Sequence, residues 1–204
     1  MKKEEKKKLL DELKEEMRRD TTLPLRSGAT NLVFGEGNPN SKILFIGEGP
    51  GYWEDVKGRP FVGNAGALLN QLLYSIKLPR EEVFITNVVN YRPPENRDPL
   101  PEEIFAFEPY LNKMIKIINP KMIVTLGRYS MGKFITNAKI SSVHGRRHIV
   151  DWEGKTITVI PMYHPAAGLR NSEVKRQLGV DFQKIPQILE EASQKIEVEQ
   201  MNLV

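Results

Sequence analysis

Apolar and polar positions divide the chain into two alternating kinds of segment. Four short apolar runs, each followed by glycine, proline or polar residues, indicate buried strands; they occupy 43–46, 83–85, 122–126 and 157–160. Apolar residues recur at helical spacing over 2–19, 64–76, 101–118, 127–135 and about 173–197, the last interrupted by Pro186. This alternation predicts an α/β fold with three α/β/α layers and a central, mainly parallel four-stranded sheet.

The length of 204 residues suits one domain with a sizeable core better than two. We therefore expect a single domain over 1–204, with a charged N-terminal helix in 1–19 and a frayed tail at about 198–204. No apolar run approaches the ~18 residues that cross a bilayer, and residues 1–8 lack the apolar stretch of a secretory signal. We expect a cytoplasmic protein without membrane contact, with a monomer as the default.

Composition limits the chemistry that the chain can perform. There are no cysteines, which excludes disulfides, thiolate zinc sites and iron–sulfur clusters, and three histidines are too few for a convincing metal site. We therefore expect no metal and no cofactor. Thirty Lys and Arg against 26 Asp and Glu give a net charge of +4, which is compatible with a polyanionic partner without requiring one.

Glycine-rich or polar segments directly follow the four predicted strands. In open α/β sheets, ligands bind at the carboxyl ends of the strands, so these segments are expected to converge on one crevice. They are Gly47-Glu48-Gly49-Pro50-Gly51, Thr86-Asn87, Gly127-Arg128 and the stretch 161–165.

Each candidate residue in these segments has a structural as well as a functional interpretation. Glu48 is either a solvated side chain in a tight turn or a catalytic carboxylate, and Phe61 is either a core anchor or a stacking platform for a base. The Asn87 amide either caps the end of a strand or reads the edge of a base with one donor and one acceptor. His164 is either structural or donates a hydrogen bond to a leaving group.

Two further loops carry basic residues. Arg92 and Arg97 either contact phosphate or pair with nearby acids. Leu169 beside Arg170 has the character of a wedge next to a phosphate contact, a pairing used by proteins that unstack a duplex.

With these residues in place, the sequence resembles family-4 uracil-DNA glycosylases over about 18–183. Each matching motif is weak alone, but all of them occur in order and at the right spacing. They are VFGEGNP at 33–39, GEGPG at 47–51, GRPFVGNAG at 58–66, ITNVV at 85–89, RPP at 92–94, PEE at 101–103, YHPAA at 163–167 and LRN at 169–171.

The resemblance implies base-excision repair: hydrolysis of the N-glycosidic bond of uracil in DNA, with the base flipped into a pocket at the strand ends. It implies that Glu48 assists the water or steadies the sugar cation, and that His164 stabilises the departing uracil anion. Phe61 would stack on uracil, Asn87 would read its edge, and Leu169 would fill the gap in the duplex. The remaining residues are expected to shape the pocket floor (Gly47, Gly49, Gly51) or to contact DNA (Pro50, Arg92, Arg97, Arg146, Arg147, Arg170).

The chain departs from the family pattern where that pattern has four cluster cysteines. The Cys-x-x-Cys-Pro-Leu stretch reads DTTLPL at 20–25, so the four ligand positions carry Asp20, Leu23, Tyr91 and Phe107. We expect the three apolar or aromatic side chains to fill the volume of the cluster with buried surface. The other interpretation is a chance loss that leaves a weakened fold.

Other functions remain open from the sequence alone. Relatives that capture uracil covalently carry a Lys-Arg-Arg-Ile-His-type insert soon after the Asn motif, which is missing here; Arg146 and Arg147 lie much later in the chain. A non-catalytic module that binds uracil or DNA is one alternative. A glycosylase for another deaminated base, such as hypoxanthine or xanthine, is the other.

Overall fold

A computed structural model describes residues 1–201 and contains one six-stranded sheet. The strand order is β1-β3-β2-β4-β6-β5. The strands, in chain order, are β1 (Glu36–Gly37), β2 (Ile43–Gly47), β3 (Phe84–Asn87), β4 (Met122–Leu126), β5 (His148–Trp152) and β6 (Lys155–Met162).

The α-helices of the described residues lie between these strands and at both ends of the chain. They are α1 (Lys3–Arg19), α2 (Tyr52–Lys57), α3 (Asn64–Ser75), α4 (Pro101–Ile118), α5 (Arg128–Gly132), α6 (Ile140–Val143), α7 (Pro165–Arg170), α8 (Ser172–Phe182) and α9 (Ile185–Met201). The break between α8 and α9 falls just before Pro186. Residues 202–204 of the predicted tail lie outside the described residues, and α9 extends into its first part.

The predicted α/β class is confirmed, but the predicted strand number is wrong. The four predicted strands form the centre of the sheet and are mutually parallel. Two further strands, β1 and β5, pair antiparallel at the edges, so the sheet is mixed. Strand β1 has only two residues, too few for a periodic pattern. Strand β5 is half-buried and joins β6 through a tight turn at Glu153 and Gly154, both with positive φ.

Helices cover both faces of the sheet because its central strands are apolar on both sides. In β2, Leu44 and Ile46 pack with α1 and α4, whereas Ile43 and Phe45 pack with α3, α8 and α9. The three-layer arrangement follows directly from this alternation. None of the helices in the part of the chain that the structure describes is long and apolar enough to cross a membrane.

The four positions of the missing cysteines lie at the side of the sheet that α1 and α4 cover. Leu23, Tyr91 and Phe107 are buried in one apolar cluster, with the two rings 6.1 Å apart. Asp20 accepts a hydrogen bond from the Tyr110 hydroxyl at 2.7 Å. These side chains do not fit an iron–sulfur cluster, because none is a thiolate and three pack against the core.

Candidate active site

The carboxyl ends of the central strands open into a cavity of about 320 Å³. Three of the four predicted segments line it: the glycine-rich turn after β2, Asn87 at the end of β3, and the segment after β6 with His164. The fourth, Gly127-Arg128, borders the Glu48 carboxylate but does not line the cavity. Among the predicted residues, those lining the cavity are Glu48, Gly49, Pro50, Gly51, Phe61, Asn87, Arg97, His164 and Arg170.

Glu48 follows β2 and is held by the first turn after β4. The backbone N–H of Tyr129 donates to its Oε1 at 3.1 Å. Gly127, with φ of +105°, leaves room for the carboxylate, because a Cβ there would stand 2.2 Å from Oε1. Burial raises the pKa of Glu48 above its usual range, only partly offset by the hydrogen bond from Tyr129.

His164 enters the cavity as a neutral imidazole with a defined tautomer. The backbone N–H of Ala166 donates to its Nδ1 at 3.1 Å, so in the neutral ring the proton is on Nε2. Burial lowers the pKa of His164 to about 4, and Arg170 acts in the same direction while Glu54 opposes it. At neutral pH the ring therefore offers one uncharged donor, the Nε2–H.

Phe61 occupies a loop whose backbone is fixed from several sides. Its φ of +51° is unusual for an aromatic residue, and such a conformation persists only where the surroundings enforce it. The Glu54 carboxylate accepts hydrogen bonds from the next two backbone N–H groups, those of Val62 and Gly63, at 2.7 Å each. The ring of Phe61 then stacks near His164, with 5.6 Å between centroids.

Asn87 ends β3 and lies opposite Gly47 of β2 in the parallel register. Its side chain is buried, and its Oδ1 has no hydrogen-bond partner among the described residues. A Cβ on Gly47 would stand 2.4 Å from this oxygen, so glycine is required beside it. A buried acceptor without a partner is costly, and an incoming donor would remove that cost.

The predicted DNA-contacting residues fall into two groups. Arg170 lines the cavity, Leu169 is exposed next to it on α7, and Arg92 lies at the mouth against the ring of Tyr52. Arg97 also reaches the mouth, but its guanidinium is bound by both oxygens of Glu103, at 2.8 and 2.5 Å.

Arg146 and Arg147 are not brought to the cavity. They follow α6 in an exposed loop, and Arg147 pairs with Glu191 of α9 at 2.7 Å. The surroundings of Arg147 favour the structural interpretation of a solvated basic loop.

Sequence reasoning missed the positioning role of two acidic residues. Glu54 fixes the Phe61 loop, and the buried Asp55 accepts from the backbone N–H groups of Thr30 and Asn31 at 2.8 and 3.0 Å. The available signal was a pair of adjacent carboxylates directly after a glycine-rich segment, which the structure places in α2. The residues that each carboxylate contacts depend on loop conformations that the sequence pattern does not specify.

Comparison with known proteins identifies one family over most of the chain. A model of the uracil DNA glycosylase superfamily matches residues 34–185. The type-4 uracil-DNA glycosylase of Sulfurisphaera tokodaii is 47% identical over 186 residues, 88% of this chain and 84% of that protein. Those of Thermotoga maritima and Archaeoglobus fulgidus are 44% and 43% identical, over 86% and 88% of this chain and 92% of each relative. The chain therefore belongs to the uracil DNA glycosylase superfamily, with the type-4 enzymes among its close relatives.

Proposed function

We propose that the chain is a DNA-repair glycosylase that hydrolyses the N-glycosidic bond of uracil in DNA. The names of the relatives support this activity. The observation that carries it is the unpartnered Oδ1 of Asn87, buried in a cavity that also holds Glu48 and the Nε2–H of His164. A donor from a flipped base would satisfy this oxygen.

The Asn87 amide supports a preference for uracil over cytosine. Uracil presents an N3–H donor and an O4 acceptor on its edge, which match the amide oxygen and the amide N–H. Cytosine presents the reverse order, so its N3 would oppose the Asn87 oxygen and leave that buried acceptor unpaired. An unpaired buried polar group costs ~1–3 kcal/mol, which translates into discrimination between the two bases.

The bond-breaking step divides between two side chains that follow different strands of the sheet, Glu48 after β2 and His164 after β6. The C1′–N1 bond breaks with its electron pair going to uracil, while a water oxygen forms the new bond to C1′ and passes a proton to the Glu48 carboxylate. The Glu48 charge also steadies the positive sugar as the bond opens. The negative charge on the uracil carbonyl oxygens receives the hydrogen bond from His164 Nε2, and a neutral donor aimed at developing charge is effective in a water-poor site.

Phe61 and the groups at the mouth support binding rather than bond breaking. The Phe61 ring offers a face on which uracil stacks, at ~1–3 kcal/mol per base. Leu169 is exposed beside Arg170, a position from which a side chain enters the gap left by the flipped nucleotide. Pro50 lines the cavity as a buried residue and Arg92 lies against Tyr52 beside it; both are assigned to contacts with the DNA backbone. The monomeric state and the cytoplasmic location stay predictions.

The activity is tested on a labelled oligonucleotide that contains one uracil, incubated with the protein and EDTA and then cleaved with alkali at abasic sites. We expect cleavage at uracil, and none on matched strands with cytosine, thymine or hypoxanthine. Cleavage at hypoxanthine but not uracil would assign the site to another deaminated base. Binding of uracil-containing DNA without any cleavage would leave a non-catalytic module.

Replacing Asn87 by aspartate is expected to reduce uracil excision about tenfold to 100-fold and to open the site to cytosine. The carboxylate has two acceptor oxygens and no donor when ionised, so uracil O4 loses its partner while the exocyclic amine of cytosine gains one. The measurement compares kcat/KM on uracil and cytosine strands for Asn87→Asp with that for Asn90→Asp. Asn90 is buried three residues later, where it holds the backbone of Val33 and Phe34 outside the cavity. Equal effects of both changes on the ratio of the two bases would contradict base reading by Asn87.

A further inference from the structure

Two aromatic side chains at the start of α2 lie open to solvent at the rim of the cavity. Tyr52 and Trp53, here called the rim pair, are 52% and 54% exposed. The residues on either side of them, Gly51 and Glu54, line the cavity. The rim pair is therefore continuous with the proposed uracil site and directed outward from it.

The rim pair is held in place by both loops that form the mouth. Its rings meet edge to face, with centroids 5.1 Å apart and planes at 77°. On one side, the Arg92 guanidinium lies 5.2 Å from the Tyr52 centroid. On the other side, Cδ1 of Trp53 lies 3.5 Å from the point where a Cβ on Gly63 would stand, against the loop that carries Phe61.

Positive charge accompanies both rings. Besides Arg92 over Tyr52, the Lys57 ammonium lies 6.0 Å from the Trp53 centroid. Among the side chains that the structure describes, those of residues 1–193, no carboxylate lies within 4.0 Å of either cation, whereas Arg97 and Arg147 each have one. Exposed aromatic faces beside uncompensated cations match a polymer that presents flat bases along a phosphate backbone.

We propose that the rim pair is a stacking platform for unpaired bases of the DNA strand next to the flipped uracil, so that the protein binds single strands in preference to duplex at this surface. The placement of the strand rests on the proposed function. In a duplex, the neighbouring bases are already stacked and paired, and their faces reach an aromatic ring only if pairs are broken. In a single strand, the same bases splay onto the rings without that cost, while Arg92 and Lys57 meet the adjoining phosphates.

Binding to a short uracil-free oligonucleotide, compared with the duplex of the same sequence, tests the platform without relying on catalysis. We expect Trp53→Leu, which keeps apolar surface but loses the aromatic face, to weaken single-strand binding about tenfold, ~1.4 kcal/mol, and duplex binding less than about threefold. Trp53→Phe is expected to retain most of the single-strand affinity. Tyr52→Leu should follow the same direction as Trp53→Leu.

Tyr74→Leu is the matched control. Tyr74 is an exposed aromatic near the far end of α3, about 15 Å along that helix from the mouth, and its loss should change neither affinity. A second measurement uses Trp152→Phe, which leaves Trp53 as the single tryptophan of the chain. Stacking of a base on Trp53 should then quench its fluorescence with single-stranded DNA and not with duplex.

The outcomes separate the platform from the proposed activity. Selective loss of single-strand affinity in Trp53→Leu supports the platform even if the protein excises no uracil. The platform is overturned if Trp53→Leu loses equal affinity for single-stranded and duplex DNA, or loses none. It is also overturned if Trp53→Leu and Trp53→Phe bind single strands equally well, because an apolar contact would then suffice. If the protein excises uracil while the Tyr52 and Trp53 variants keep their single-strand affinity, the proposed function stands and only the platform is removed.

Discussion

Glu48→Gln is expected to lower kcat for uracil excision about 10³-fold while raising the free energy of unfolding at pH 7. A positioned general base contributes roughly 10²–10⁴-fold, and the neutral amide neither takes a proton nor steadies a positive sugar. The amide oxygen still accepts from the Tyr129 N–H, so the geometry is retained. Stability rises because the wild-type protein keeps a carboxylate ionised in a buried position, at a cost that glutamine lacks.

The pH dependence of both effects follows from the raised pKa of Glu48. Excision requires the ionised carboxylate, so wild-type kcat should rise with pH around a pKa above the usual glutamate range. Glu48→Gln should not show this rise. The folded state binds the Glu48 proton more tightly than the unfolded state, so the wild type loses stability as pH rises through the raised folded pKa. The stabilising effect of Glu48→Gln should therefore be present at neutral pH and vanish below the pKa of an unfolded glutamate.

Single-turnover excision and chemical denaturation across pH measure these two quantities on the same samples. Glu102→Gln is the control, since Glu102 is an exposed glutamate in the first turn of α4, away from the cavity lining. The pKa of His164, about 4, lies below the raised pKa of Glu48, so the imidazole titrates at lower pH than the expected change in kcat. If kcat of Glu48→Gln still falls at low pH, the fall is due to the titration of another group.

The frame of the fold is predictable where local signals agree. Helix α4 begins at Pro101 and ends at Ile118 as predicted, because proline and two glutamates mark its start and Asn119, in the left-handed region, stops it. The convergence of Glu48, Asn87 and His164 is also predictable, since it depends only on parallel strands sharing one edge. The two antiparallel edge strands are not, because one is too short and the other alternates between half-buried and exposed positions rather than buried and exposed ones.

The fine structure of the site depends on contacts between segments distant in sequence. Nothing in the sequence pattern around Phe61 indicates its positive φ. Two contacts on either side of Phe61 impose it: the Glu54 carboxylate accepts from the backbone N–H of Val62, and Arg80 donates to the carbonyl of Pro60 at 2.6 Å. Likewise, the sequence offers Arg97 as a phosphate contact, whereas the neighbouring Glu103 binds it. Side-chain partners are therefore the part that sequence periodicity leaves open.

Phe107→Ala is expected to lower the free energy of unfolding by about 3–5 kcal/mol, the usual cost of removing a buried phenylalanine. Phe107 is 0% exposed and packs against Tyr91 in the cluster that also contains Leu23. At this chain length, such a loss lowers the melting temperature by roughly 10 °C. The size of the effect follows from the proposed replacement of cluster ligands by packing, because this part of the fold then has apolar contacts as its main support.

Phe105→Ala is a matched control on the same helix, since Phe105 is two residues away and 74% exposed. Its loss should change the free energy of unfolding by no more than about 0.5 kcal/mol. Neither phenylalanine lines the cavity, so folded Phe107→Ala protein should excise uracil at the wild-type rate at low temperature. If the two alanine variants have the same melting temperature, the buried aromatic cluster does not support the fold. The absence of the four cysteines then leaves a weakened region rather than a repacked one. A large loss confined to Phe107→Ala, with activity retained, separates the structural role of this region from catalysis at the strand ends.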